Sequence, residues 1–179
     1  MPKINFHPFP VLETDRLILR QLKASDSKAL QALRSDSEVN KYLGRAQPVT
    51  LEAMDDFIQA RAKDLTENTN IVWAITVKGS DEMIGSICIW HISADGQSGE
   101  LGYELSPACQ KRGYKGEALA RVIVYSQKDL GLSHLVAYTR EDNEASRNLL
   151  ERQGFALQKY VLGVGEEKCQ AVYGMGCDE

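Results

Sequence analysis

The stretch Leu105-Ser106-Pro107-Ala108-Cys109-Gln110-Lys111-Arg112-Gly113-Tyr114-Lys115-Gly116-Glu117-Ala118 decides the reading of this chain. Just before it, Leu101, Tyr103 and Leu105 alternate with Glu100, Gly102 and Glu104, which is strand spacing. Pro107 ends that strand, because it cannot donate to a ladder. Just after it, Leu119, Val122, Ile123 and Leu130 mark the buried stripe of a helix from about Glu117 to Leu130, stopped by Gly131. The chain therefore runs strand, basic glycine-bearing loop, helix. Backbone N–H groups at a helix start lack partners and, with the helix dipole, favour an anion. Gly113 and Gly116 let the backbone approach that anion closely. Lys111, Arg112 and Lys115 gather positive charge there, so the physics points to a phosphate or pyrophosphate pocket. The same residues also fit a tight turn followed by a solvated cationic helix end. The Gly-x-x-x-x-Gly-Lys-Ser/Thr and Gly-x-Gly-x-x-Gly patterns are both absent.

Working outward, Arg16 to Leu22 reads as a first strand. Ser25 is placed to cap a helix with Ala29, Leu30 and Leu33 on one face. Thr50 is placed to cap a second, with Leu51, Met54, Ile58 and Leu65 at helical spacing. Ile71, Trp73, Ile75 and Val77 alternate as a second strand, Lys78 to Glu82 reads as a turn, and Ile84 to Ile92 returns as a third. Residues 93–99 turn into the fourth strand already described. Leu135 to Thr139 is a fifth. Asn143 to Gln153 forms a short helix with Gly154 at its stop. Phe155 to Leu162 and Ala171 to Met175 close as a hairpin around Gly163 to Glu166. The expected class is α/β with a mixed sheet, mostly antiparallel.

The 179 residues fit a single domain, 1–179, able to bury a core without staples. Lys plus Arg total 21 against 25 Asp plus Glu, a net charge of -4. That balance disfavours general nucleic-acid binding, which depends on neutralising phosphates. Any polyanion it holds is small and bound locally. The four cysteines, Cys88, Cys109, Cys169 and Cys177, form no Cys-x-x-Cys pair and have no histidine at zinc spacing, so no metal site is expected. They read as free thiols of a reducing cytosol. Met1 to Phe9 lacks the pattern of a signal peptide, and the apolar run Met83 to Trp90 is too short to span a bilayer. The expectation is a cytoplasmic protein with no membrane partner.

The segment Glu100-Leu-Gly-Tyr-Glu-Leu-Ser-Pro, then Gln110-x-x-Gly-Tyr-x-Gly-Glu-Ala-Leu119, resembles the acyl-CoA-binding motif of the GNAT N-acetyltransferases. Three other segments resemble the RimJ/RimL-type branch of that family. They are Glu13-Thr14-Asp15-Arg16-Leu17-Ile18-Leu19-Arg20, Asp81-Glu82-Met83-Ile84-Gly85-Ser86-Ile87, and Asn143 to Phe155 with its N-x-x-S-x-x-L-x-E-x-x-G-F spacing. The resemblance runs from about residue 12 to 175. It implies helices on both faces of the sheet and a V-shaped split between the fourth and fifth strands. It also implies acetyl-CoA as acyl donor cosubstrate and no metal. Leu105 and Ser106 would hold the pantetheine arm, and Gln110, Lys111, Arg112, Gly113, Tyr114, Lys115 and Gly116 the pyrophosphate. Asn143 would contact the pantetheine region. Lys115 departs from the family, which usually carries Gly or Ala there; a backbone contact survives if its side chain points away.

Amine acetylation needs a base for the ammonium and a proton for the leaving thiolate. Glu100 and Glu104 share one strand face, left open by Gly102, so either is a candidate base; both equally fit a solvent-facing polar side. Ser146, one helical turn after Asn143, matches the family's hydrogen-bond donor to the thiolate, while both also fit helix-start capping. Arg147 fits an adenosine phosphate contact or a solvated helix face. His7, His91 and His134 sit in no catalytic motif. The expected activity is acetyl transfer to a primary amine, either a protein N-terminal amine of ribosomal-protein type or a small amine, by a monomer or homodimer. A non-catalytic acyl-CoA sensor or partner module and a plain nucleotide-phosphate binder are the alternatives.

Overall fold

The computed structural model describes residues 4–162 and 168–176. One sheet organises them, in the order β1-β2-β3-β4-β5-β6-β8-β7. Its strands are β1 (Leu12–Glu13), β2 (Leu17–Gln21), β3 (Ile71–Val77), β4 (Met83–Trp90), β5 (Ser98–Leu105), β6 (His134–Arg140), β7 (Ala156–Val161) and β8 (Gln170–Gly176). The short β1 moves the numbering by one, so the fourth and fifth strands of the sequence reading are β5 and β6. The tip of the closing hairpin, Gly163 to Glu166, lies outside the described residues, as does Cys177.

All pairs are antiparallel except β5 and β6. That parallel pair holds only from Ser98↔His134 to Leu101↔Ala137. Beyond it β5 continues to Leu105 and β6 to Arg140 without pairing to each other. This is the V-shaped split that the resemblance implied.

Helices α1 (Ser27–Ser35), α2 (Ser37–Asn40) and α3 (Leu51–Glu67) precede the central strands, and α4 (Tyr114–Lys128) and α5 (Glu144–Arg152) follow them. Leu30, Leu33 and Met54 pack with Val72, Ala74, Met83 and Cys88 on one sheet face. Leu119, Val122, Ile123 and Leu150 pack with Leu17, Trp73, Ile87 and Leu101 on the other. Both faces are thus covered, as period-2 strands apolar on both sides require.

Local chemistry explains most boundaries. The Thr50 hydroxyl accepts the Ala53 N–H at 3.1 Å and starts α3 as expected, although Leu51 is exposed rather than part of the buried face. Ser25 caps nothing: it lies in a 3-10 turn, Ala24–Asp26, and α1 begins after it. The turn is drawn there by Asp26, whose carboxylate is buried against Arg20. Helix α4 begins at Tyr114, three residues before the expected Glu117, because Gly113 at φ +80° closes its first turn. Gly116 sits inside that turn facing α5, where an added Cβ would lie 3.5 Å from Leu149 Cδ1. Strand β4 stops at Trp90 rather than Ile92, because His91 turns at φ +50°.

Candidate active site

The split between β5 and β6 opens into a cleft of about 500 Å³. Its walls include Leu105 and Gln110 from the β5 end, Lys115 from α4, and Asn143 and Ser146 from the start of α5. Glu100, Glu104, Tyr42 and Arg140 line the remainder. Sequence candidates from β5 and its end, α4 and the start of α5 therefore meet in one place. Among the loop candidates, Ser106, Lys111, Arg112, Gly113, Tyr114 and Gly116 do not line this cleft with side chains. Lys111, Arg112 and Gly113 are exposed.

The loop's contribution is its backbone. The N–H groups of Lys111 through Gly116 find no acceptor among the described residues. Lys111 at φ +61° and Gly113 at φ +80° alternate with right-handed or extended neighbours. Such alternation turns successive N–H groups into one concavity, an anion nest. The Gln110 side chain closes the strand end by donating to the Leu105 carbonyl at 3.0 Å.

Arg16 fixes this loop. Its Nη1 donates to the Arg112 carbonyl at 2.9 Å, and its guanidinium lies over the Tyr114 ring at 4.7 Å. In a trans peptide the Arg112 carbonyl and Gly113 N–H point in opposite directions. Holding the carbonyl toward Arg16 thus turns the N–H away from it. Glu117 completes the clasp, accepting from the Thr14 hydroxyl at 2.6 Å and from Arg16 Nε at 2.7 Å. Burial pushes this carboxyl up, but these hydrogen bonds and the guanidinium win and hold it below the usual range. Thr14 and Arg16 of the Glu13-Thr14-Asp15-Arg16 motif therefore brace the loop, with Arg16 and Arg112 lying 96 residues apart in sequence. A Cβ on Gly113 would sit 3.2 Å from Arg16 Nη2, besides forcing a side chain into the left-handed region. Gly113→Val is expected to raise the KM for the acyl donor about tenfold with a smaller change in kcat, read from steady-state kinetics.

The two carboxylates of β5 have separate fates. Glu104 is buried, with Oε1 accepting from Arg34 Nε and Ser86 Oγ and Oε2 from Arg45 Nη2. With both oxygens held by guanidinium groups, it ties α1 through Arg34 and the segment after α2 through Arg45 to β5. It lines the cleft almost fully buried, with both oxygens engaged by these donors. Glu100 is half-exposed on the cleft wall, its Oε2 3.0 Å from His91 Nδ1. The face between them is not open: a Cβ on Gly102 would meet Cys88 Sγ at 2.9 Å and Trp90 Nε1 at 3.2 Å. Burial pushes the Cys88 thiol well above its ordinary value, which leaves it inert packing.

On the opposite side, Asn143 Oδ1 accepts the Ser146 N–H at 3.2 Å and caps α5. That frees the Ser146 hydroxyl, which lies 2.8 Å from the Tyr103 hydroxyl across the mouth of the split. Burial pushes the Tyr103 phenol up to about 12, against a smaller opposing effect of that hydrogen bond. Arg147 is held within the fold rather than free on a solvated face: its guanidinium donates to Tyr173 Oη at 3.1 Å and the Glu141 carbonyl at 3.0 Å, pinning α5 to β8. Lys115 does not point away. Its side chain enters the cleft, with Nζ 5.5 Å from the centre of the Tyr103 ring.

The family described as the acetyltransferase (GNAT) domain matches residues 16–156. The chain belongs to this family. The uncharacterized N-acetyltransferase YoaA of Bacillus subtilis is 35% identical over 171 residues, covering 93% of this chain and 97% of that one. An acetyltransferase of Salmonella typhimurium, which modifies the N-terminal serine of a 50S ribosomal subunit protein, superposes with TM-score 0.81 at 20% identity, covering 94% of this chain and all of the other. A microcin self-immunity acetyltransferase solved with acetyl-CoA and AMP gives 0.77 at 20% identity, covering 91% and 93%. At these identities the two solved structures speak for the GNAT fold alone. Membership makes this chain an N-acetyltransferase with acetyl-CoA as its donor. The free N–H groups of Lys111 to Gly116 fit that donor's pyrophosphate. Among the described residues, no helix is long and apolar enough to cross a membrane.

Proposed function

We propose that this GNAT enzyme acetylates a primary amine of the protein N-terminal class. The observation that carries this is the contact of Ser146 with Tyr103 across the mouth of the split, with Glu100 lining the same cleft. Leu105, at the end of β5 that is not paired with β6, offers strand edge to the pantetheine arm, while the Ser106 N–H and carbonyl are taken by Ile84 and Cys109; the 110–116 backbone takes the pyrophosphate. Glu100, steadied by His91, receives the proton of the acceptor ammonium, directly or through water. Ser146, backed by the Tyr103 phenol, donates to the leaving thiolate. Glu104 keeps Arg34 and Arg45 in place and has no proton role.

The acceptor end of the cleft carries Glu38 and Tyr42 beside Glu100, which suits a cationic amine attached to a chain running outward. The Salmonella neighbour's ribosomal N-terminal serine supports this choice over a small free amine. The continuous sheet from Leu12 to Gly176 supports one catalytic domain. The unpaired thiols of Cys88, Cys109 and Cys169 support a reducing cytoplasmic setting.

Thiol release from acetyl-CoA across a panel of N-terminal peptides and small amines tests the reading. Turnover with a peptide N-terminus is expected. Binding without turnover on any acceptor would make the chain a sensor, and preference for a free polyamine would replace the acceptor class. Glu100→Gln is expected to lower kcat/KM about tenfold and alter the shape of the pH–rate profile. Glu104→Gln should leave that shape intact while lowering stability. A profile unchanged by Glu100→Gln would remove Glu100 as the base.

A further inference from the structure

Residues 41–50 join α2 to α3 without a helix or strand, and this strap carries Tyr42 and Leu43 into the cleft. Two arginines tie it to the sheet, one to each limb of the split. Arg45, on the strap, donates from Nη2 to Glu104 Oε2 of β5 at 2.9 Å. Arg140, on β6, donates from Nη1 to the Lys41 carbonyl at 3.1 Å, and its guanidinium lies 5.3 Å from the centre of the Tyr42 ring. Glu104 and Arg140 each stand three residues beyond Leu101↔Ala137, where the parallel pairing ends. The strap therefore crosses the mouth of the V fastened to both limbs.

Asp142 sets the second fastening. Its Oδ1 accepts from Arg140 Nε at 2.9 Å and its Oδ2 from Nη2 at 2.6 Å. A guanidinium is planar, so a carboxylate gripping that edge fixes where Nη1 points. Lys168 donates to the same carboxylate and steadies it further. Asp142 lies in the turn that the Asn143 N–H closes on the Arg140 carbonyl at 2.9 Å. Asn143 in turn caps α5 by accepting the Ser146 N–H. The turn 140–143 thus holds the strap with its first residue and the helix start bearing Ser146 with its last.

We propose that Arg140 is a positioning residue for acetyl transfer, locking the strap to the turn that presents Ser146 so that the acceptor wall and the leaving-group hydroxyl keep one spacing. This rests on reading the end of the cleft at Glu38 and Tyr42 as the acceptor end, and Ser146 as the donor to the thiolate. Transfer requires the amine within about 3.5 Å of the thioester carbon, and a drift of about 1 Å there costs about a hundredfold in rate. A strap without secondary structure does not supply that precision by itself; one tied to both limbs of the split does.

Arg140→Met removes the fastening and keeps the aliphatic stem. In the intact protein, hydrogen exchange of the 41–47 amides is expected to quicken about fivefold while that of 114–128 is unchanged. With acetyl-CoA and the best acceptor from the peptide and amine panel, the acceptor KM should rise about tenfold and the acetyl-CoA KM stay within about twofold. Asp142→Asn separates positioning from direct contact, because Asp142 is not among the residues lining the cleft. It should raise the acceptor KM about threefold, and adding it to Arg140→Met should raise it no further. Arg140→Lys should fall between the unaltered protein and Arg140→Met, and it carries the same tests should Arg140→Met fold poorly. A raised acceptor KM with unchanged strap exchange would mean that Arg140 touches the acceptor itself and would overturn the proposal. So would additive effects of Asp142→Asn and Arg140→Met, or a loss confined to acetyl-CoA. Absence of turnover with every amine would instead overturn the acceptor reading beneath it, and the exchange measurement would still decide the clasp.

Discussion

Ser146→Ala is expected to lower kcat about a hundredfold while leaving acetyl-CoA affinity within about twofold. The two effects separate because the residue does two jobs through different atoms. Its backbone N–H is what Asn143 caps, at 3.2 Å, and alanine keeps that N–H. Its hydroxyl, 2.8 Å from Tyr103 Oη, is what alanine removes. Tyr103→Phe should cost less, about tenfold, since it removes the backing hydrogen bond and spares the hydroxyl nearest the thiolate. The sign of the pH effect follows from burial. With its phenol pushed up to about 12, Tyr103 stays protonated through neutral and mildly alkaline pH. An alkaline fall in rate below that value would belong to another group, and Tyr103→Phe should retain it. Single-turnover measurements ensure that chemistry is being read. An unchanged rate for Ser146→Ala under those conditions removes it from the mechanism.

Arg20→Met is expected to destabilise the fold by about 3 kcal/mol and lower Tm by roughly 10 °C, measured by thermal unfolding. Arg20 is buried on β2 and grips Asp26 with two bonds of 2.8 and 2.9 Å, while its Nε donates to Asp81 at 2.7 Å. Asp26 is itself buried and also accepts the Lys23 N–H at 2.7 Å. Removing the guanidinium leaves this carboxylate in a dry site with one backbone donor, and that uncompensated charge is the main penalty. Adding Asp26→Asn to Arg20→Met should restore a substantial part of the loss. Plain additivity of the two changes would show that the pair is not the source of the effect.

Much of the architecture was legible because it depends on local periodicity. Alternation located the central strands, and Thr50, Asn143 and Gly154 marked helix ends through short-range capping. The loop from Gln110 to Gly116 was legible for the same reason, since a helix start after a strand exposes N–H groups whatever surrounds it. Long-range pairing was not legible. Glu104 looks like Glu100 in sequence, and only Arg34 and Arg45, at 70 and 59 residues' distance, separate their roles. His91 appeared idle until the β4–β5 register, with Trp90 opposite Glu100, brought its ring beside that carboxylate. Asp81 read as a turn residue, yet it clamps Arg20 and Lys23. Lys115 was the reverse case: its identity was visible as an oddity, but the direction of its side chain required the cleft.

The four-pair seam between β5 and β6 carries one more consequence. Where it ends, the sheet has two inner borders, from Gly102 to Glu104 and at Tyr138 and Thr139, that are not paired with each other. Such borders invite strands from other molecules as readily as outer ones do. A donor arm lying between them would act as a removable strand, and its binding would stabilise the closed sheet by mass action. The acyl donor would then double as a guard against self-association, and the enzyme should store and crystallise best when loaded.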